Sequence, residues 1–427
     1  MPTRAASPDI PPVARRTSWL LLGLLALVLP LYPLQNIIDK IDQPLRGLPG
    51  VNFINLSALL LVGLWFGRTL FAGRPLVGRS LLNRTLGLFI LLTYLGLWRA
   101  VSYVDAPLPL GPSDPSFVFW KDAMLAFVLF FVAANTIHDE RTMRLLSFAM
   151  LLVLPYMVHV HNDNLSWATS WHYDHDMRVN GTMLHLGSNE LAAFYVVALL
   201  VSAGLLLSLR DLQWRLFFLL STGLAAWGVI YSYSRSAYLA ALVGAALMGL
   251  LRSLKLTLVL LLFLLAAPLF LPASVLDRFG MINSEQTQTD ESTERRLELW
   301  TVAWERFQEN PVLGTGYRSF PKLNRYDMDT HNNYLKVLCE LGLFGFLAFL
   351  GLFVHGFRQG WLLSRQSPTP FARGLGMGVM AASLGLLVLN FFGDRASYLA
   401  VTCFFWTWQG MAARILRAVR YEGGWAR

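Results

Sequence analysis

Apolar runs of about 20 residues recur along this chain, and about 20 residues is what an α-helix needs to cross the hydrocarbon of a bilayer. They fall at approximately 18–34, 53–72, 81–98, 117–137, 142–160, 188–209, 213–231, 236–252, 254–272, 333–356, 373–392 and 396–413. Lipid offers the backbone no water to bond, so uninterrupted apolar runs read as helices. A membrane barrel would show alternating segments of about ten residues instead. The expected fold is therefore an all-α polytopic membrane protein of about twelve transmembrane helices. Composition agrees, since 14% of the 427 residues are charged, against about 25% in an ordinary soluble domain.

The basic residues orient these helices. With the N-terminus in the cytoplasm, the inner segments hold Arg15 and Arg16; Arg68, Arg74, Arg79 and Arg84; Arg141 and Arg144; Arg210 and Arg215; Arg252 and Lys255; Arg358, Arg365 and Arg373; and the cluster from Arg414 to Arg427. That alternation predicts an N-in, C-in protein by the positive-inside rule. It also accounts for most of the net charge of +9, so nucleic acid is not an expected partner. Arg15 and Arg16 before an apolar run imitate a secretory signal, but no small-residue cleavage site follows, and the run reads as an uncleaved first helix. Cys339 and Cys403 both lie in apolar segments, which argues against a disulfide framework.

Two outer loops exceed simple connectors, at 159–187 and 273–332, and long loops in compact proteins usually carry function. The second contains a helix: Leu297, Trp300, Trp304 and Phe307 recur at helical spacing between Ser292 and Gln308. Ser292 or Thr293 can cap its start, Asn310-Pro311 ends it, and Gly314 and Gly316 predict a turn. The tryptophans point to a membrane interface or to packing on helix ends. The first loop gathers His159, His161, His172, His175 and His185 with Asp163, Asp174 and Asp176. Their spacing is irregular for a metal site, and no metal is expected. No Walker loop, dinucleotide glycine fingerprint or HExxH motif occurs, so no cofactor is expected either.

Asp122, Glu190, Arg235, Lys336, Asp394 and Arg395 sit near the outer ends of the apolar runs, whose centres hold almost no charge. Intramembrane charge is costly and marks ion or substrate paths. Its absence from the centres weakens a transporter reading, and the outer ends read as the floor of a polar site. His331 stands where the second loop re-enters the membrane, with Thr330 or Asn332 to cap the next helix. A neutral imidazole there can take a proton from a hydroxyl. The competing reading is a structural histidine paired with a carboxylate such as Glu340. Arg235, Arg295, Arg296 and Arg178 lie at the same face, and guanidinium groups suit phosphate oxygens.

Four segments together resemble the bacterial O-antigen ligase and polymerase superfamily. HNNYLKVLCELGLFGFLAFL resembles its histidine-asparagine start followed by a Glu-x-Gly-x-x-Gly helix. RRLELWTVAWERFQENPVLGTGYRSF resembles the stretch just before it, YSYSRSAYLAALVGA the Ser-Arg-Ser helix start, and RVNGTMLHLGSNELAAFY the Gly-Thr and Asn-Glu-Leu-Ala stretch. The resemblance spans roughly residues 178 to 350. It implies a metal-independent, inverting membrane glycosyltransferase in the bacterial inner membrane, with its active site facing the periplasm. Such proteins move a glycan from an undecaprenyl diphosphate carrier to an acceptor hydroxyl, either on lipid A-core or on a second lipid-linked repeat. A lipid-linked glycan transporter is the alternative from another class. On the leading reading His331 is catalytic, and Arg235, Arg295 or Arg296, and Arg178 bind the donor diphosphate. The chain then divides into a disordered cytoplasmic N-terminus (1–17), nine helices with the periplasmic loop 159–187 (18–272), a periplasmic loop with an amphipathic helix (273–332), three helices (333–413) and a basic cytoplasmic tail (414–427).

Overall fold

A computed structural model of the protein describes residues 12–422, apart from 47, 49–50, 74, 105–107, 110–113, 166–185, 254, 256, 259–261, 263–268, 270 and 281–285. The described residues form helices and no strand. In chain order these are α1 (Pro12–Val28), α2 (Gln35–Asp42), α3 (Phe53–Ala72), α4 (Asn83–Val104), α5 (Pro115–Thr136), α6 (Glu140–Leu151), α7 (Val153–Asn164) and α8 (Ser188–Ser208). There follow α9 (Leu212–Tyr231), α10 (Arg235–Arg252), α11 (Ala273–Gly280), α12 (Gln286–Glu309), α13 (Asn333–Gln366), α14 (Pro370–Asn390) and α15 (Leu399–Tyr421).

Local sequence explains many ends. Asp114 caps α5 by accepting from the Ser116 and Phe117 N–H groups, with Pro115 in the first turn. Asn332 caps α13, and Thr369 with Pro370 opens α14. Gly73 closes α3 in the left-handed conformation that glycine adopts without strain.

Among the described residues nine spans are long and apolar enough to cross a membrane, with α6 and α7 counting as one. Three of the twelve expected runs are not among them, each for its own reason. The first apolar helix, Thr17–Val28, is short. Much of the ninth expected run, 254–272, lies outside the described residues. The last, α15, is long enough but carries Thr407, Gln409 and Arg414. It is buried along most of its length, so its surroundings are protein rather than lipid. There Gln409 donates to the Ser383 hydroxyl at 3.1 Å, Gln359 donates to Gln409 at 2.9 Å, and Trp408 donates to Ser147 at 3.1 Å.

The core centres on α8, α14 and α15. Small residues let α8 and α14 touch backbone to backbone: a Cβ on Gly204 would stand 2.7 Å from the Gly374 carbonyl oxygen. By contrast α3, α9 and α10 turn leucines outward, as lipid-facing helices do.

The segment that shapes the site is α13. It breaks at Gly342, whose φ of 64° lies in the left-handed region. Into the break runs the chain after α12. Thr315 N–H bonds the Cys339 carbonyl, Gly316 N–H bonds the Glu340 carbonyl, and Leu343 N–H bonds the Pro311 carbonyl. The orphaned backbone groups of the broken helix are thus satisfied by the loop. A Cβ on Gly342 would lie 2.4 Å from the Val312 carbonyl, and one on Gly314 would lie 2.4 Å from the Glu340 carbonyl carbon. The glycines permit this crossing.

Candidate functional site

Helices α8 and α13 begin beside the end of α14 and the turn that leads into α15, and charged side chains from these segments meet there. Helix N-termini carry partial positive charge. On α13, Lys336 is buried and pairs with Asp329 at 2.7 Å and with Asp394 at 3.2 Å. Arg395, also buried, pairs with Glu190 at the start of α8. Asn333 donates to Asn390 at 2.8 Å and to Asp394 at 3.3 Å, and the Arg395 N–H donates to the same Asn390 oxygen. Glu190, Lys336, Asp394 and Arg395, which sequence position had grouped, are therefore one connected network. Asp122 is not in it; it pairs with Lys121 at 2.8 Å.

A cavity of about 30 Å³ lies against this cluster, between Asn333, Lys336, Glu340, Asp394, Tyr317 and Trp406. It has room for water and not for a sugar.

His331 lies two residues before Asn333, in the turn that opens α13. It is exposed, with a φ of 54°, an uncommon conformation for a non-glycine residue that recurs at functional sites. The local chain holds it. The Thr330 hydroxyl donates to the Asn332 carbonyl at 2.6 Å and accepts the Asn332 N–H at 3.0 Å. The Asn332 side chain accepts from the Tyr334 and Leu335 N–H groups. Of the two expected caps, Asn332 is the one used. The Thr330 carbonyl in turn accepts from the Trp300 indole at 2.9 Å, tying the histidine turn to α12. Partial desolvation, then the nearby Arg296 guanidinium and more weakly Arg395, lower the His331 pKa below its ordinary value, with Asp329 and Glu190 opposing. The ring is therefore neutral at neutral pH. Burial raises the Asp329 pKa, but Lys336 and the Thr330 N–H outweigh it and hold the carboxyl below its ordinary value.

Glu340 does not partner His331. Its carboxylate accepts from the backbone N–H groups of Arg318 at 2.9 Å and Phe320 at 3.3 Å, pinning the loop that crosses α13. The competing reading of His331 as the structural partner of Glu340 is therefore not supported. Arg318, in a segment read only as a turn, lies with its guanidinium 4.2 Å from the centre of the Phe119 ring.

The expected phosphate ligands fare differently. Arg235 is the first residue of α10 and is exposed. Its neighbour Ser234 is buried and donates to Asn189 at 2.9 Å, beside Glu190. The Arg235 turn is thus tied to Asn189, whose chain neighbour Glu190 pairs with Arg395 in the network that reaches Asn390 and Asn333. Arg295 and Arg296 are exposed on α12, and they diverge. Arg295 lies 5.6 Å from the centre of the Tyr326 ring, whereas the charge of Arg296 acts on His331. Arg178 lies outside the described residues.

Helix α12 begins at Gln286, so Ser292 and Thr293 fall inside it and not at its cap. Its buried face is Leu299 and Ala303, packed with Phe320 and Cys339, while Leu297 and Trp304 are exposed. The expected stripe therefore splits: Trp300 packs on Phe391 with ring centres 6.2 Å apart, and the others face outward.

His159 and His161 belong to α7. His161 is buried, stacked on Tyr195 at 5.8 Å and edge-on to Trp227 at 5.3 Å. His159 faces Asp163 at 3.4 Å on the surface. His172, His175, His185, Asp174 and Asp176 lie outside the described residues. Among the described residues no three metal-ligating side chains converge.

Residues 216–350 match a family model described as O-Antigen ligase. That region carries Arg235, Arg295, Arg296, His331, Lys336, Glu340 and Gly342; Glu190, Asp394 and Arg395 lie outside it. No curated protein matches the chain.

Proposed function

From the match over residues 216–350, which supports placing this multi-pass chain in the O-antigen ligase-like superfamily, we propose that the protein is a membrane glycosyltransferase of lipopolysaccharide assembly. It moves a glycan from undecaprenyl diphosphate to an acceptor hydroxyl on lipid A-core, at the periplasmic face of the inner membrane. The observation that carries this reading is an exposed histidine, its pKa lowered, within reach of the charges of Arg296 and Arg395 on separate elements.

His331 accepts the proton of the acceptor hydroxyl as its oxygen attacks the anomeric carbon. The bond to the diphosphate breaks, and negative charge grows on the leaving phosphate. Arg235 and Arg296 stabilise that charge, helped by the α10 N-terminus, which has no side-chain cap. Arg295, held over Tyr326, supports the loop. A single displacement inverts the anomeric configuration. Arg395 is buried and paired, so it positions Glu190 and the Asn333 turn and does not touch donor.

The test is transfer in vitro by the purified protein, with lipid-linked glycan as donor and either lipid A-core or a second lipid-linked repeat as acceptor. Transfer to lipid A-core alone supports ligation. Transfer only to the second repeat makes the protein a polymerase of the same superfamily. Failure with both acceptors, while donor crosses proteoliposomes intact, moves the reading to transport. The facing is tested separately. Cys339 and Cys403 are buried, so Glu305→Cys on the exposed face of α12 gives a clean probe. It should react with an impermeant thiol reagent in cells with a permeabilised outer membrane. Reaction only after lysis of the inner membrane would reverse the topology.

A further inference from the structure

At the opposite end of the bundle four arginines line an open cleft of about 710 Å³: Arg141 and Arg144 on α6, Arg210 in the α8–α9 turn and Arg373 on α14, with Trp214 and Thr369. Arg144 is matched, by Glu140 at 2.6 Å and Asp211 at 3.0 Å. Arg141, Arg210 and Arg373 are exposed, and none has a carboxylate partner among the described residues. Three helices also begin here: α6 at Glu140, α9 at Leu212 and α14 at Pro370. Glu140 and Asp211 stand at two of these starts and are engaged by Arg144, so Arg141, Arg210 and Arg373 remain as unmatched cations beside helix N-termini, where an added anion is favoured.

A neighbouring basic cleft of about 530 Å³ shows the difference. There Arg68 donates to the Asn135 carbonyl and Arg417 to the Ala134 carbonyl, both at 2.7 Å, at the C-terminal end of α5. Those arginines answer a helix's negative end and are accounted for by the fold. The positive-inside tendency accounts for arginines at this end of the bundle, but not for their convergence with three helix N-termini.

A second feature indicates what kind of anion. Arg210 also lines an adjoining groove of about 630 Å³, walled by Leu212, Leu216 and Leu219. These leucines are 55–68% exposed. An anionic pole joined to long apolar chains fits cleft and groove together. We propose that this cleft binds the phosphate of an anionic glycerophospholipid, with the acyl chains lying along the leucine groove. The proposal stands independently of the glycosyltransferase reading. It needs only that the chain spans a bilayer.

The experiment compares the full chain in detergent with its Arg141→Gln/Arg210→Gln/Arg373→Gln variant. A control, Arg84→Gln/Arg358→Gln/Arg365→Gln, removes the same charge elsewhere from the same end. Each is titrated with phosphatidylglycerol, with phosphatidylcholine and with inorganic phosphate, followed by native mass spectrometry and melting temperature. Phosphatidylglycerol should remain bound to the wild type and the control and raise their melting temperature by roughly 4 °C or more. The cleft variant should bind it at least about tenfold more weakly, a loss of roughly 1.4 kcal/mol. If the triple variant does not fold, Arg373→Gln alone is measured, with the same expected direction. Equal response to phosphatidylcholine would overturn the proposal, as would an unchanged response in the cleft variant. Full stabilisation by inorganic phosphate alone would overturn the lipid assignment.

Discussion

The two ends of the bundle treat charge in different ways. At the end with His331, the buried cations Lys336 and Arg395 each meet carboxylates, and the pairs are joined through Asn333 and Asn390. At the other end the arginines are met unevenly: Arg144 and Arg414 pair with carboxylates, Arg68 and Arg417 reach helix C-terminal carbonyls, and Arg141, Arg210 and Arg373 have no ion pair among the described residues. A compensated network fixes side chains to fractions of an ångström, which chemistry on a bound substrate requires. An uncompensated surface attracts anions and orients the protein but holds nothing rigidly. Substitutions should therefore be far more costly at the first end than at the second.

The largest contrast should appear in stability. Lys336→Met removes the cation shared by Asp329 and Asp394 and leaves two carboxylates crowded together in a mostly buried site. Breaking a buried pair in this way costs about 3–5 kcal/mol. Gly342→Ala forces a Cβ against the Val312 carbonyl at a φ of 64°, and strain with overpacking costs on the order of 3 kcal/mol. Exposed Arg358→Gln at the opposite end should stay within about 0.5 kcal/mol of wild type. Thermal unfolding in a single detergent compares all three. If Lys336→Met melts like Arg358→Gln, the network does not hold this end together.

The next contrast is in activity without loss of fold. His331 is exposed, so His331→Ala should melt like wild type, yet slow transfer roughly 100-fold or more if the imidazole takes the acceptor proton. Single-turnover transfer at saturating donor measures it. A loss of only a few-fold, partly restored by His331→Gln, would make the histidine an orienting group.

Much of this was legible in the residues, for identifiable reasons. Apolar runs mark helices of the bundle whether they face lipid or protein, so α3, α4, α5, α8, α9 and α10 fall near their expected bounds. The same signal finds α15 at 396–413 but not its extension to Tyr421, because a helix wrapped in protein can carry glutamine and arginine along its length. The charged residues at the outer helix ends formed a recognisable set because charge is rare in such a chain. Asp329 and Asn390 were not in it: a loop aspartate and an asparagine at a helix end are ordinary in sequence, and only the fold brings them to Lys336 and Asn333. Glycines at 314, 316 and 342 signalled turns and a motif. That they let one loop cross a broken helix is a tertiary fact with no local trace. The amphipathic pattern of α12 was real but ambiguous, since Leu297, Trp300 and Trp304 compete with Leu299 and Ala303 for the buried face.

The smallest effect is the most discriminating, because it separates two adjacent arginines. Arg296 lowers the His331 pKa, whereas Arg295 lies over Tyr326. For a base that works as neutral imidazole, transfer is full above its pKa and falls as pH drops through it. Because that pKa is lowered, the acid limb of the wild type should lie below the ordinary histidine value of 6.5. Arg296→Gln removes a positive charge that disfavours imidazolium, so its acid limb should move up in pH. If Arg296 also touches the diphosphate, its rate at the plateau should fall as well. Arg295→Gln should leave the limb where it is. Transfer rates for the wild type and both variants, measured from pH 5 to 8, test the assignment. An upward shift with Arg295→Gln and none with Arg296→Gln would exchange their roles. No acid limb in any of the three would remove His331 as the proton acceptor, while leaving untouched the network that holds its turn.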